Sequence, residues 1–180
     1  LECLNMISIV QTDNSVLRET ALLVPISDIM GEKIQGVLRD MKIALDSQED
    51  GVAIAAPQIG VSMRIFVVSE RAFDVSKNAG ERRKLKKDIT KKYGHLVFIN
   101  PVITKISKSK EVMEEGCLSV RYKYGKIERS DKATVEAYDE NGKKFTRGGS
   151  GLLAQIFQHE TDHLEGVLFI DNAFDVKDIP

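Results

Sequence analysis

From Gln158 to Gly166 the chain reads Gln-His-Glu-Thr-Asp-His-Leu-Glu-Gly, and the His-Glu-x-x-His at its centre constrains the fold more than any other stretch. On an α-helix, positions four apart share a face, one turn from each other. His159 and His163 can therefore bind one metal ion, with Glu160 beside them to take a proton from water held there. Leu152, Ile156, His159 and His163 recur at helical spacing, which predicts the helix and puts the imidazoles on a half-buried face. Gly148-Gly149-Ser150-Gly151 reads as a loop in which Ser150 caps the helix, and Gly166 reads as the left-handed residue past its end. Three fixed positions also arise in helices by chance, so the metal reading needs a third ligand from elsewhere.

With 180 residues the chain supports one domain with a sizeable core, expected over residues 6–180. It begins with Leu1, and residues 1–5 before Met6 read as an expression remnant. A net charge of −1 argues for neither nucleic acid nor membrane as a general partner, and no apolar run is long enough to span a bilayer. Two cysteines, Cys3 and Cys117, are too few for a disulfide scaffold, which fits a reducing cytoplasm.

Residues Ile7 to Val24 read as a strand or extended arm followed by a loop. Between Ser27 and Ser47, Ile34, Val37, Leu38, Met41, Ala44 and Leu45 keep the helical period, and Asp50-Gly51 stops that amphipathic helix. Gly51 to Gly60 is small and apolar with one polar side chain, Gln58, and reads as a buried loop or strand. Strands are expected over Val61–Val68 and Leu96–Ile106, the second bent at Asn100-Pro101. A hairpin is expected from Lys132 to Thr146, turning at Asn141-Gly142. Seven basic and two acidic residues between Glu81 and Lys92 predict a solvated segment, with a nucleic-acid contact as the sharper alternative. The fold class expected is α+β: a largely antiparallel sheet packed around a C-terminal metal-binding helix, with a second amphipathic helix near the N-terminus.

The third ligand is not where zinc endopeptidases of the His-Glu-x-x-His type keep theirs. Phe169 stands at the position of a third histidine, and beyond Glu165 the acids are all aspartates. The remaining soft candidate is Cys117, in Glu115-Gly116-Cys117-Leu118-Ser119. A lone cysteine is more often a small buried hydrophobe, and only the adjacent glycine and the shortage of other ligands favour metal.

Three segments, Gly51 to Gln58, Glu115 to Ser119 and Gln158 to His163, together resemble the three signature motifs of peptide deformylases, in that family's order. The resemblance runs from about Ile7 to Asp171. The family usually has glycine where this chain has Ala53, a change that bears on the fit of a substrate backbone and leaves the metal ligands alone. By matching positions, the resemblance implies Cys117, His159 and His163 as metal ligands and Glu160 as general base and later acid. It implies the Gln58 amide and the Leu118 N–H as oxyanion donors. It implies removal of the formyl group from the N-terminal formyl-methionine of new polypeptides, releasing formate. The expected cofactor is one divalent metal, Fe²⁺ in the cell, with Zn²⁺, Ni²⁺ or Co²⁺ as replacements. Ile54, Gly116 and Ile156 are candidates for binding the peptide, with Leu152 on the same face, and Gln158 and Asp162 for orienting an imidazole. The expected partners are formyl-methionyl peptides and nascent chains at the ribosome, in the cytoplasm. The endopeptidase is the alternative; a relative with a purely structural metal is disfavoured, because a closed site needs neither Glu160 nor Gln58.

Overall fold

The computed structural model describes residues 7–77 and 93–178, and the side chains of 7–74 and 93–178. The expected remnant at 1–5 and the basic stretch 82–92 lie outside these residues.

Strand β2 (Ile65–Ser69) is buried along its whole length, because alternate side chains feed two different cores. Phe66 and Val68 enter one cluster with helix α3 (Leu152–Leu164), whereas Ile65 and Val67 enter another with helix α1 (Glu32–Asp46). The same alternation runs through β1 (Ala53–Ala55) and β3 (His95–Ile106): Ala53, Ala55 and Phe98 go to the α3 side, and Ile54, Val97 and Ile99 to the α1 side. A single antiparallel sheet thus sits between the two helices that the apolar periodicity foretold.

That sheet has five strands in the order β1-β2-β3-β6-β7, with β6 spanning Lys132–Tyr138 and β7 Lys144–Ser150. A second, three-stranded sheet pairs β4 (Lys110–Cys117) with β5 (Val120–Ser130) and β5 with β8 (Phe174–Asp178), all antiparallel. A short helix α2 (Arg71–Lys77) follows β2. Phe66 stacks on Phe98 at 4.5 Å between centroids, and both rings meet Phe157 of α3. Each such fully buried ring contributes roughly 1.5–3 kcal/mol, so this cluster fixes α3 against the sheet.

Several sequence expectations shift at their edges. The N-terminal stretch is an extended arm with a 3-10 turn at Ser15–Arg18 and a single bridge from Leu22 to Met63, without a strand. The strand expected from Val61 begins at Ile65. Asn100 does bend β3: its φ is 51°, the register with β6 shifts there, and its amide bonds both backbone groups of Val24, at 2.9 and 2.8 Å. The hairpin turns at Gly142 as expected, but β7 continues through Gly148-Gly149-Ser150, where the glycines predict a loop. The glycines serve packing: a Cβ on Gly149 would stand 2.8 Å from Leu153 Cγ and 3.0 Å from Phe157 Cε2 of α3. Ser150 accordingly ends a strand and caps nothing; Gly151 precedes the helix without a side-chain cap. Gly166, with φ of 72°, does follow the helix end in the left-handed region.

Candidate metal centre

Three segments converge on one end of α3. Strand β4 ends in Cys117, the 3-10 turn Ala56–Ile59 after β1 carries Gln58, and α3 presents His159 and His163 one turn apart. Cys117 Sγ lies 3.2 Å from His163 Nε2, and His163 Nε2 lies 3.2 Å from His159 Nε2. All three donor atoms fall within 4.8 Å of one another. Ligands on tetrahedral bonds of about 2.0–2.3 Å stand roughly 3.3–3.7 Å apart, so this thiol and two imidazoles fit a single divalent ion. The sulfur therefore folds back from β4 to meet the two nitrogens.

At this separation the two facing Nε2 atoms cannot both bear a hydrogen. Burial opposes charge on each, but the Glu115 carboxylate against His159 overcomes it and raises that ring well above the ordinary value. His163 is pushed well below by burial and the neighbouring charge. A bound cation would take the Nε2 lone pair of each ring in place of any proton there.

The side chain that orients His159 is Glu115, which the motif spacing does not single out. Its Oε1 lies 2.6 Å from His159 Nδ1 and accepts from Arg129 Nη2 at 2.6 Å; its Oε2 accepts from Arg129 Nε and Gln155 Nε2, both at 3.1 Å. Burial alone would raise the Glu115 carboxyl, but His159 and Arg129 outweigh it and hold it down at about 2. A carboxylate fixed on Nδ1 turns Nε2 toward the metal position and strengthens it as a donor. One signal was available: in a strand, Glu115 shares a face with Cys117 two residues on. Nothing in the sequence points to Arg129, fourteen residues away.

Of the two residues expected to orient an imidazole, neither touches one. Asp162 accepts from Arg129 Nη1 at 2.7 Å and so acts on Glu115 at one remove. Gln158 is occupied by the backbone of Ser130, accepting at 3.0 Å and donating at 2.9 Å, and by Ala154 O. It pins α3 to the end of β5.

Glu160 is buried, and its Oε2 has no hydrogen-bond partner. Burial raises its carboxyl to about 7, the charge of His159 opposing. A carboxyl group poised near neutrality can both accept and return a proton. Gln58 is held in a defined orientation: its Oε1 accepts from Ala55 N at 2.8 Å, which turns Nε2 toward Cys117 Sγ at 3.5 Å and Ser119 Oγ at 3.3 Å. Leu118 follows Cys117 directly and is buried. Gly116 is required by Tyr124, whose ring would stand 2.5 Å from a Cβ there. Ile156 lies in the α3 core cluster and Ile54 in the α1 cluster. Phe169, at the position of an endopeptidase's third ligand, is buried beside His159 with 6.5 Å between rings.

A cysteine and two histidines around one ion position, with a buried acid alongside, are the elements of a mononuclear metallohydrolase on an α+β frame. The sequence also matches the family model described as polypeptide deformylase over residues 6–178. Peptide deformylase 2 of Clostridium acetobutylicum is 40% identical over 160 residues, 89% of this chain and 90% of that protein. The crystal structure of peptide deformylase from Thermotoga maritima superposes with a TM-score of 0.76 at 34% identity, covering 94% of this chain and 98% of that one. A Met-Ala-Ser-bound peptide deformylase from Acinetobacter baumannii gives a TM-score of 0.76 at 26% identity, over 93% and 98% of the two chains. The chain belongs to the polypeptide deformylase family, metal-dependent hydrolases that remove the formyl group from the N-terminus of newly made polypeptides. The endopeptidase alternative is set aside. Among the described residues, no helix is long and apolar enough to cross a membrane.

Proposed function

We propose that Cys117, His159 and His163 hold one divalent ion and that Glu160, Gln58 and Leu118 carry out deformylation around it. The observation that carries this reading is the convergence of the three donor atoms within 4.8 Å beside a buried, unpartnered carboxyl oxygen. Held by these residues, the ion would supply Lewis acidity toward water and the formyl carbonyl, which a formamide needs because its carbonyl is a poor electrophile. Glu160 accepts the proton of the attacking water. As charge builds on the formyl oxygen, Gln58 Nε2 and the Leu118 N–H donate to it, favouring the transition state over the substrate. Glu160 then returns its proton to the departing amine, and formate leaves.

Ile156 and Leu152, on one helix face, supply the side chains of the peptide-binding set, and Ile54, whose side chain is buried on the α1 side, joins it with Gly116 through the backbone. The peptide extends along the edge of β1 or the end of β4, each paired on one side only among the described residues. The Met-Ala-Ser ligand of the Acinetobacter baumannii relative supports a short methionyl peptide as the bound form. Fe²⁺ is the ion in the cell, and Zn²⁺, Ni²⁺ or Co²⁺ substitute in preparations. The enzyme works in the cytoplasm on chains emerging from the ribosome. Its basic stretch from Arg82 to Lys92 supplies charge for a ribosomal RNA contact. Anaerobically purified protein releases formate from formyl-Met-Ala-Ser and leaves the peptide chain intact. Chain cleavage, or no formate, contradicts this reading.

A further inference from the structure

The two oxyanion donors of the proposed mechanism sit on separate segments, and one stretch of the N-terminal arm touches both. Val10 N donates to Gln58 O at 2.9 Å. The next residue, Gln11, uses both ends of its side chain on the other segment. Its Nε2 donates to Leu118 O at 3.0 Å, and its Oε1 accepts from Arg121 N at 3.3 Å. The same Nε2 donates to Ile9 O at 3.3 Å, which fixes the side chain to its own arm.

The peptide between Leu118 and Ser119 is therefore held at both ends. Gln11 holds its carbonyl, and its N–H, on Ser119, donates to Cys117 Sγ at 3.4 Å. Rotation of that plane would withdraw a donor from the cysteine sulfur and turn the Leu118 residue, whose own N–H precedes the plane. Gln11 has no reach to a reacting atom through these bonds; it acts on the loop that bears one ligand and one donor.

We propose that Gln11 is a positioning residue for deformylation: its amide, anchored on the arm, fixes the Cys117–Arg121 loop so that the Leu118 N–H meets the formyl oxygen and the Cys117 sulfur keeps its ligand position. The proposal rests on the reading of Leu118 and Gln58 as oxyanion donors. A preorganised donor contributes only while it is aligned, so a loosened loop loses rate with little change in substrate binding. A ligand that has lost its outer hydrogen bond releases metal more readily.

The test compares Gln11→Met, which keeps the bulk and removes all three side-chain hydrogen bonds, two of them to the Cys117–Arg121 loop, with Gln11→Ala and Gln58→Ala, each loaded with cobalt(II). The expected result for both Gln11 variants is a kcat for formyl-Met-Ala-Ser lowered roughly 5- to 30-fold with KM within about twofold, from a donor displaced but still present. Cobalt passes to a chelator roughly 3- to 10-fold faster. A merely structural role would lower the urea midpoint and leave kcat per folded molecule and cobalt loss alone. A wild-type kcat in Gln11→Met overturns the proposal. If Gln58→Ala also keeps wild-type kcat, the oxyanion reading itself falls; if only Gln58→Ala is slow, that reading stands and the role of Gln11 is refuted.

Discussion

Glu115 Oε1 stands 2.6 Å from His159 Nδ1, and Arg129 grips the same carboxylate through two further hydrogen bonds. The His159 ring is thus held from behind, by a buried ion pair anchored on two neighbouring strands. Replacing Glu115 with glutamine removes the charge while keeping the shape, and leaves Arg129 buried with Asp162 as its remaining acidic partner. Metal affinity is expected to fall roughly 10- to 100-fold, measured by competition with a chromophoric chelator.

Glu160→Gln separates chemistry from binding. It keeps the buried volume and cannot accept a proton, so kcat should drop by roughly 10²- to 10⁴-fold. Metal content measured by elemental analysis should stay at one ion per chain, because Glu160 is not among the three converging donors.

The expected positions were legible where one residue type has few alternatives. His159, His163 and Glu160 declared themselves through helical spacing, and α1 through its apolar stripe, because both patterns are local. What orients them was not legible. Arg129 reaches Glu115 across a β4–β5 pairing that no nearby spacing encodes. Gln158 looked like a neighbour of the metal because it precedes His159, but consecutive helix positions point about 100° apart, and it serves Ser130 instead. Gly148 and Gly149 looked like a loop because glycine is a turn residue; here the missing side chain makes room for a helix.

Gly149→Ala tests that last point. Its methyl would press on Leu153 Cγ and on the buried Phe157 ring, and neither is a free side-chain end. The cost is expected to be about 1–3 kcal/mol by urea unfolding.

Acid should weaken the link between the N-terminal arm and the segment after α3. The Arg18 hydrogen bond holds the Asp171 carboxyl below its ordinary 3.8, so the folded state binds fewer protons than the unfolded one. That stabilisation is complete above pH 3.8 and fades as pH falls through the lowered folded value. Both side chains are partly exposed, which limits it to about 0.5–1 kcal/mol. The difference in unfolding free energy between wild type and Asp171→Asn should be of that size at pH 7 and shrink steadily as pH drops below 3.8.

X-ray absorption at the metal edge of anaerobically purified, formate-releasing protein addresses the centre directly. The expected inner shell holds one sulfur at about 2.3 Å and two or three nitrogen or oxygen atoms at about 2.0–2.2 Å, the sulfur vanishing in Cys117→Ser. An active protein whose metal shell contains no sulfur would contradict the assignment of Cys117, His159 and His163 as its ligands.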